Sequence, residues 1–252
     1  MKLTMAASAL TAVSVTIGIA APVAASAFPT NRATPSRADA RDTADKYRDY
    51  ADLARNEEEG QDYRRSLRWP PGAKAAHIAI HGGAIEAGTT QLADHAARAR
   101  QSYGFYSFEG IKSEGNQDLH ITSTRFDEPK GLKLAQGVSY TISWHGMSGD
   151  TARTYIGGRD ALLRSRVVAA LKEADFSVEP APDDLDGMSK ENIVNKNRRG
   201  MGVQLELTTA QRRAFFADGK LNRAWIEDPS HQTTAFKKYT AAVDKALATV
   251  AG

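Results

Sequence analysis

Hydrophobic and polar positions alternate most clearly over residues 138–145. Val138, Tyr140, Ile142 and Trp144 share one face of an extended chain, and Ser139, Thr141, Ser143 and His145 share the other. The same period of two returns over 202–208, where Val203, Leu205 and Leu207 oppose Gln204, Glu206 and Thr208. A continuous apolar run over 75–80 reads as a strand buried on both faces. Residues 103–108, 119–126, 155–157 and 176–178 read as further strands. Helical spacing appears over 43–58, over 91–100 with Thr89 or Thr90 as cap, and over 130–136 after the Asp127-Glu128-Pro129 start signal. It appears again over 160–174, with Leu162, Leu163, Val167, Ala170 and Leu171 as its stripe, and over 210–216 and 229–250. Strands that alternate with helices predict an α/β sandwich: a mixed, largely parallel sheet flanked by helices.

Composition narrows the chemistry. The 252 residues allow one sizeable domain, and 41% hydrophobic with 25% charged residues is an ordinary globular balance. The 33 basic and 30 acidic residues give +3 without a concentrated patch, which argues against nucleic acid as a partner. With no cysteine, disulfides, thiolate catalysis and Cys-type zinc sites are excluded, so any metal must be held by His, Asp or Glu. Residues 1–27 combine Lys2, an Ala-, Val-, Leu- and Ile-rich core and Ala25-Ser26-Ala27, the pattern of a secretory signal peptide. Residues 28–41 follow as a disordered leader, and 42–252 as a single domain. The mature protein is expected to be extracellular, monomeric and free of the membrane.

Candidate chemistry gathers at strand ends. The buried run over 75–80 leads into His81-Gly82-Gly83-Ala84-Ile85-Glu86, where an imidazole and a carboxylate five residues apart converge only if the two glycines turn the backbone. His145 ends the alternating strand on its small, polar face. His81, Glu86 and His145 together form the two-nitrogen, one-carboxylate set of a catalytic zinc, with a fourth position left for water. Glu206, a carboxylate in an otherwise buried strand, stands as the acceptor of that water's proton. His120 reads as a hydrogen-bonding partner of the ligands or as a core histidine; His77 reads as structural, and His95 and His231 as packing or surface residues. The acidic stretch 180–189 carries Asp184-Leu185-Asp186-Gly187. In a calcium-loop register, however, Pro182 and Ile193 would fall on ligand positions, and a solvated loop is expected.

These stretches resemble the phage-type poly-γ-glutamate hydrolase family. The resemblance is carried by His81-Gly-Gly-Ala-Ile-Glu86-Ala-Gly-Thr, Ser107-Phe-Glu-Gly110, Leu119-His-Ile-Thr-Ser-Thr124 with Phe126-Asp-Glu-Pro129, Ser143-Trp-His-Gly146 and Gly202-Val-Gln-Leu-Glu-Leu207, which occur in family order. It implies a zinc carboxypeptidase-like fold, zinc on His81, Glu86 and His145, Glu206 as general base, and cleavage of γ-linked glutamyl amides. Compared with the carboxypeptidases, four residues rather than two separate the first His and Glu. Their paired Asn and Arg have no counterpart in the right order, which argues against a strict exopeptidase mode. An anionic polymer also needs cations, and Arg159, Arg198 and Arg199 are the candidates for its carboxylates. The alternatives are a zinc amidase on wall peptides and a non-catalytic exported binding protein with a peptidase fold. A serine esterase is excluded because 146–150 lacks the last glycine of G-x-S-x-G.

Overall fold

The computed structural model describes residues 45–252, so the signal-peptide and leader segments read from the sequence lie outside the described residues. The strands are β1 (Tyr63–Arg68), β2 (Ala75–Gly83), β3 (Tyr103–Gly110), β4 (Tyr140–Met147), β5 (Thr154–Gly157), β6 (Val178–Pro180) and β7 (Val203–Thr208). The helices are α1 (Tyr50–Leu53), α2 (Thr89–Arg98), α3 (Pro129–Gly137), α4 (Ala161–Glu173), α5 (Thr209–Ala214), α6 (Arg223–Ile226) and α7 (Thr234–Ala251). All seven strands form one sheet in the order β1-β3-β2-β4-β7-β5-β6. Its centre, β3-β2-β4-β7, is parallel. β1 and β5 join antiparallel to β3 and β7, and β6 lies parallel to β5. The sheet is therefore mixed with a parallel core, as the alternation of elements predicts.

Each sheet face buries its own apolar layer. Ala75, Ala79, Ile142, Trp144, Val203, Leu205 and Leu207 pack with residues of α2, α4 and α7. Ala76, Ile78, Ile80, Tyr106 and Phe108 pack on the other face against α3 and against Leu119, Ile121 and Phe126. The polar sets of β4 and β7 turn to this second face. They are buried as well: Ser143, His145, Gln204 and Glu206 are at most 5% exposed. Both polar rows are covered by chain rather than by water, and such groups stay buried only when they are paired or put to use.

Several expectations change in the structure. The helix over 43–58 shrinks to the single turn of α1, because Asp52 and Asp127 accept the backbone N–H groups of Arg48 and Tyr50 that a longer helix would use internally. Residues 119–126 form no strand. A 3₁₀ turn, Asn116–Leu119, leads into irregular chain whose alternation marks side chains dropped into the second core layer, with no neighbouring strand to pair with. Helix α2 is entered through Gly88 at φ 98°, while Thr89 and Thr90 turn their hydroxyls to Glu86 O and Ser107. Leu162 is exposed on α4 although it belongs to the expected stripe.

Two stability outcomes follow. Gly83 has φ 64°, and a Cβ there would collide with the carbonyl of Gly110. Gly83→Ala is expected to lower unfolding free energy by about 1–3 kcal/mol in urea titration. His77 is fully buried, its Nδ1 accepts the Trp144 indole N–H at 3.1 Å, and burial, with Arg68 adding to it, pushes its pKa down to about 3. The unfolded chain therefore takes up a proton near pH 6.5 that the folded one refuses. The stability is complete above pH 6.5 and is lost as pH falls below it, by about 2 kcal/mol between pH 7 and pH 5. His77→Gln should flatten that part of the stability–pH curve, and an unchanged slope would assign it to other groups.

Candidate metal centre

The chain leaves the top of β2 to build β3 on one side, then crosses by way of α3 to build β4 on the other. Such a reversal opens a crevice at the carboxyl ends of parallel strands. Pairing between β2 and β4 stops at Ile78 and Ser143, and His81 and His145 lie just beyond that point.

Strict alternation would point His81 the same way as His77 and Ala79, toward α2. A register shift in the β2/β3 pairing between Ala79 and Gly82 breaks the alternation, as a bulge does. The His81 ring instead meets His120 and Phe126 on the opposite face, the face to which His145 and Glu206 already point. Gly82 has no room for a side chain beside Thr90, Ser107 and Phe108 O, and Gly83 carries the positive φ of the turn. The turn closes with Glu86 N–H donating to His81 O at 2.9 Å, which brings the two side chains of the turn together.

The ligand atoms of His81, Glu86 and His145 lie within 4.8 Å of one another. His81 Nδ1 is 2.9 Å from Glu86 Oε1 and 3.2 Å from His145 Nδ1, and His145 Nδ1 is 3.5 Å from Glu86 Oε2. Atoms bound tetrahedrally at zinc distances sit about 3.3 Å apart, so the three edges suit that geometry. The outer nitrogens are engaged: His81 Nε2 is 2.8 Å from Ile121 O, and His145 Nε2 is 2.7 Å from Ser143 Oγ. A carbonyl only accepts, so the proton of neutral His81 is on Nε2, and its Nδ1 presents a lone pair to the site. Burial, helped by His120, pushes the pKa of His81 down to about 4. At neutral pH a lone pair therefore faces a carboxylate oxygen across 2.9 Å. A cation satisfies both, and the donor set fits one.

Burial works against a charge on His145, but Glu206 and then Glu86 outweigh it and raise its pKa. Burial opposes ionisation of Glu86, but the two imidazoles outweigh it and hold its carboxyl well below the usual range, and its Oε2 also accepts the Gly146 N–H at 2.8 Å. Glu206 pairs in register with His145 on the neighbouring strand. Burial pushes its carboxyl up to about 7, with His145 pulling it down and Glu86 adding to the rise. Its Oε1 accepts from Gln204 Nε2 at 2.8 Å, and Gln204 in turn accepts from Asn192 at 2.8 Å. The arrangement provides a cation site with an oriented proton acceptor beside it.

The cleft around these groups holds about 470 Å³. One wall carries Thr122, Ser123 and Thr124, and the other is residues 183–189. That acidic stretch is a largely exposed loop, as expected, and it is tied down: Asp186 O accepts from Gly158 N–H, and Asn195 holds Gly187 O and Ser189 O. The three arginines expected at substrate carboxylates are placed elsewhere. Arg199 pairs with Asp160 and lies 4.2 Å over the Tyr140 ring at the start of β4, Arg198 is exposed beside Val138, and Arg159 reaches Met188 O from outside the lining. A cation that sequence reasoning missed does support the site. Arg212 is buried on α5 and donates to Ala87 O, Met147 O and Leu207 O, tying the chain beyond β2 to the carboxyl ends of β4 and β7. It lies against Gly146, where a Cβ would come 2.7 Å from its guanidinium. The sequence signal was that glycine after His145, which leaves room for a neighbour whose identity only the fold reveals.

Comparison with known proteins identifies the family. The profile of the poly-gamma-glutamate hydrolase family matches residues 47–242. The UPF0714 protein YmaC of Bacillus subtilis (strain 168) is 39% identical over 176 residues, which span 69% of this chain and 73% of YmaC. A bacteriophage poly-gamma-glutamate hydrolase superposes with a TM-score of 0.77 at 32% identity, covering 81% of this chain and 97% of its own. The zinc-free form of YndL does so at 0.71 and 34%, covering 81% and 98%. The chain belongs to the poly-gamma-glutamate hydrolase family and is an amide-bond hydrolase with its zinc carboxypeptidase-like α/β fold.

Proposed function

We propose that the protein is an exported zinc-dependent hydrolase that cleaves γ-glutamyl amide bonds of poly-γ-glutamate. The observation that carries this reading is the convergence of His81 Nδ1, Glu86 and His145 Nδ1 on one point, with the buried carboxylate of Glu206 alongside. Export rests on the composition of residues 1–27.

His81, Glu86 and His145 would hold the zinc, which when bound would supply a Lewis acid for an amide carbonyl and lower the pKa of a water to about 7. Glu206 takes the proton of the attacking water, and the Asn192–Gln204–Glu206 chain of hydrogen bonds keeps its carboxylate aimed. As the C–N bond breaks, Glu206 returns that proton to the leaving nitrogen. Ile121 O and Ser143 Oγ fix the orientation of the two rings throughout.

A second reading, hydrolysis of γ-glutamyl bonds in wall peptides, is favoured by the charge of the cleft. Asp183, Asp184 and Asp186 line it, and among the described residues no Arg or Lys does. Incubating the protein with each substrate, with and without a chelator, separates the two: chelator-sensitive shortening of poly-γ-glutamate is expected, and turnover of wall peptides alone would replace that substrate assignment.

Two substitutions test the roles. His81→Ala is expected to abolish zinc retention after dialysis, and one zinc per chain in that variant contradicts its place among the ligands. Glu206→Gln is expected to keep zinc and lose about 10²–10⁴-fold in kcat. Near-normal turnover would remove Glu206 from proton transfer.

A further inference from the structure

Glu206 serves the nitrogen only as the C–N bond breaks, and the structure also holds a group suited to the N–H of the intact amide. His120 lies beside the ligand set without belonging to it. Its ring packs at a tilt against that of His81 with centroids 3.9 Å apart, its Nε2 is 4.0 Å from Glu86 Oε1, and the side chain, 33% exposed, lines the cleft. Glu206 neighbours His145 and His120 neighbours His81, so the two flank the ligands from opposite sides.

The orientation of His120 is set from far away in the chain. Its Nδ1 is 2.6 Å from Asp45 Oδ1. Asp45 is buried, 6% exposed, and its other oxygen accepts from the Thr122 N–H at 2.7 Å and Arg125 Nη2 at 2.6 Å. Burial opposes its ionisation, yet the Thr122 amide, His120 and Arg125 hold its pKa below the usual value. An ionised carboxylate only accepts hydrogen bonds, so the proton of neutral His120 resides on Nδ1 and the lone pair of Nε2 is turned to the cleft. The neighbouring hydroxyls of Thr122, Ser123 and Thr124 can donate or accept; Nε2 in this tautomer can only accept. Asp45 stands two residues before the first residue of the family match at 47, so the matched segment alone does not include this partner.

We infer that His120 accepts the N–H of the scissile amide through Nε2, and that Asp45 is a positioning residue that holds His120 in the one neutral tautomer able to do so; the inference rests on the amide-hydrolase reading above. Accepting that N–H fixes the plane of the amide relative to the cation site and Glu206, and misplacement of a reacting bond by about 1 Å is enough to lose about 10²-fold in rate. No proton changes owner in this contact, and the bond-breaking step stays with Glu206.

The test uses His120→Phe, which keeps a ring against His81 and removes both the acceptor and the donor to Asp45, together with Asp45→Asn and the double variant in the full chain. His120→Phe is expected to lower kcat about 10–100-fold on poly-γ-glutamate, with zinc content and Tm close to those of the parent protein. Asp45→Asn is expected to lower kcat less, and to add nothing in the His120→Phe background, because it acts through His120. Nitrogen-15 NMR of the metal-free parent protein should show His120 with its proton on Nδ1, and Asp45→Asn should weaken that preference. Activity of His120→Phe within about twofold of the parent, multiplicative effects of the two substitutions, or a proton on Nε2 in the parent would each overturn the inference. An inactive parent protein would overturn the proposed function itself, and an active parent with an active His120→Phe overturns only the role given to His120.

Discussion

His81 Nδ1 and Glu86 Oε1 face each other at 2.9 Å, and both are acceptors when the imidazole is neutral. Much of the surrounding structure enforces this unfavourable approach. The Ile121 carbonyl holds the proton of His81 on the far nitrogen, the two-glycine turn brings Glu86 back, and the Gly146 N–H fixes its second oxygen. Two lone pairs held so close are stable only with positive charge between them, and the carboxylate adds to the attraction for a cation. The donor set therefore suits a cation in a way that ordinary buried polar clusters, closed by their own hydrogens, do not.

That constraint explains the asymmetry of the sheet. One face carries α2, α4 and α7 on an almost wholly apolar layer. The other is covered by α3 and by irregular chain, whose carbonyls and side chains reach the polar rows of β4 and β7. The interior of a helix uses up its own backbone acceptors and has none to lend to a histidine. The extended chain at Ile121 has one. Arg212 contributes from a helix of its own, with a guanidinium fork that bonds three carbonyls at once, two at the carboxyl ends of β4 and β7 and one in the chain beyond β2.

The sequence made the parallel core and the ligand-bearing turns legible because burial of both layers imposes strict periods on β2, β4 and β7. Glu206 stood out for the same reason, as a carboxylate in a buried row. The facing of His81 was not legible: a one-residue bulge reversed it, and a bulge leaves no mark in a run of small apolar residues. Residues 119–126 imitated a strand because Leu119 and Ile121 are pulled into the core while the backbone serves His81 and Asp45. Arginines were sought by charge near the right loops, but Arg199 lies at the wrong end of the sheet, and the arginine that matters, Arg212, resembles a surface residue of a short helix. Asp45 is separated from His120 by seventy-five positions, a pairing that no local pattern reveals.

The claim on which the rest stands is that a zinc ion sits where His81, Glu86 and His145 converge. Diffraction from zinc-loaded crystals, recorded on both sides of the zinc absorption edge, tests it most directly. The account predicts one strong anomalous peak about 2.0–2.2 Å from His81 Nδ1, His145 Nδ1 and a Glu86 oxygen, with Glu206 outside bonding distance. A peak bound by Glu206, a peak among the aspartates of 183–186 alone, or no peak at full zinc loading would contradict it.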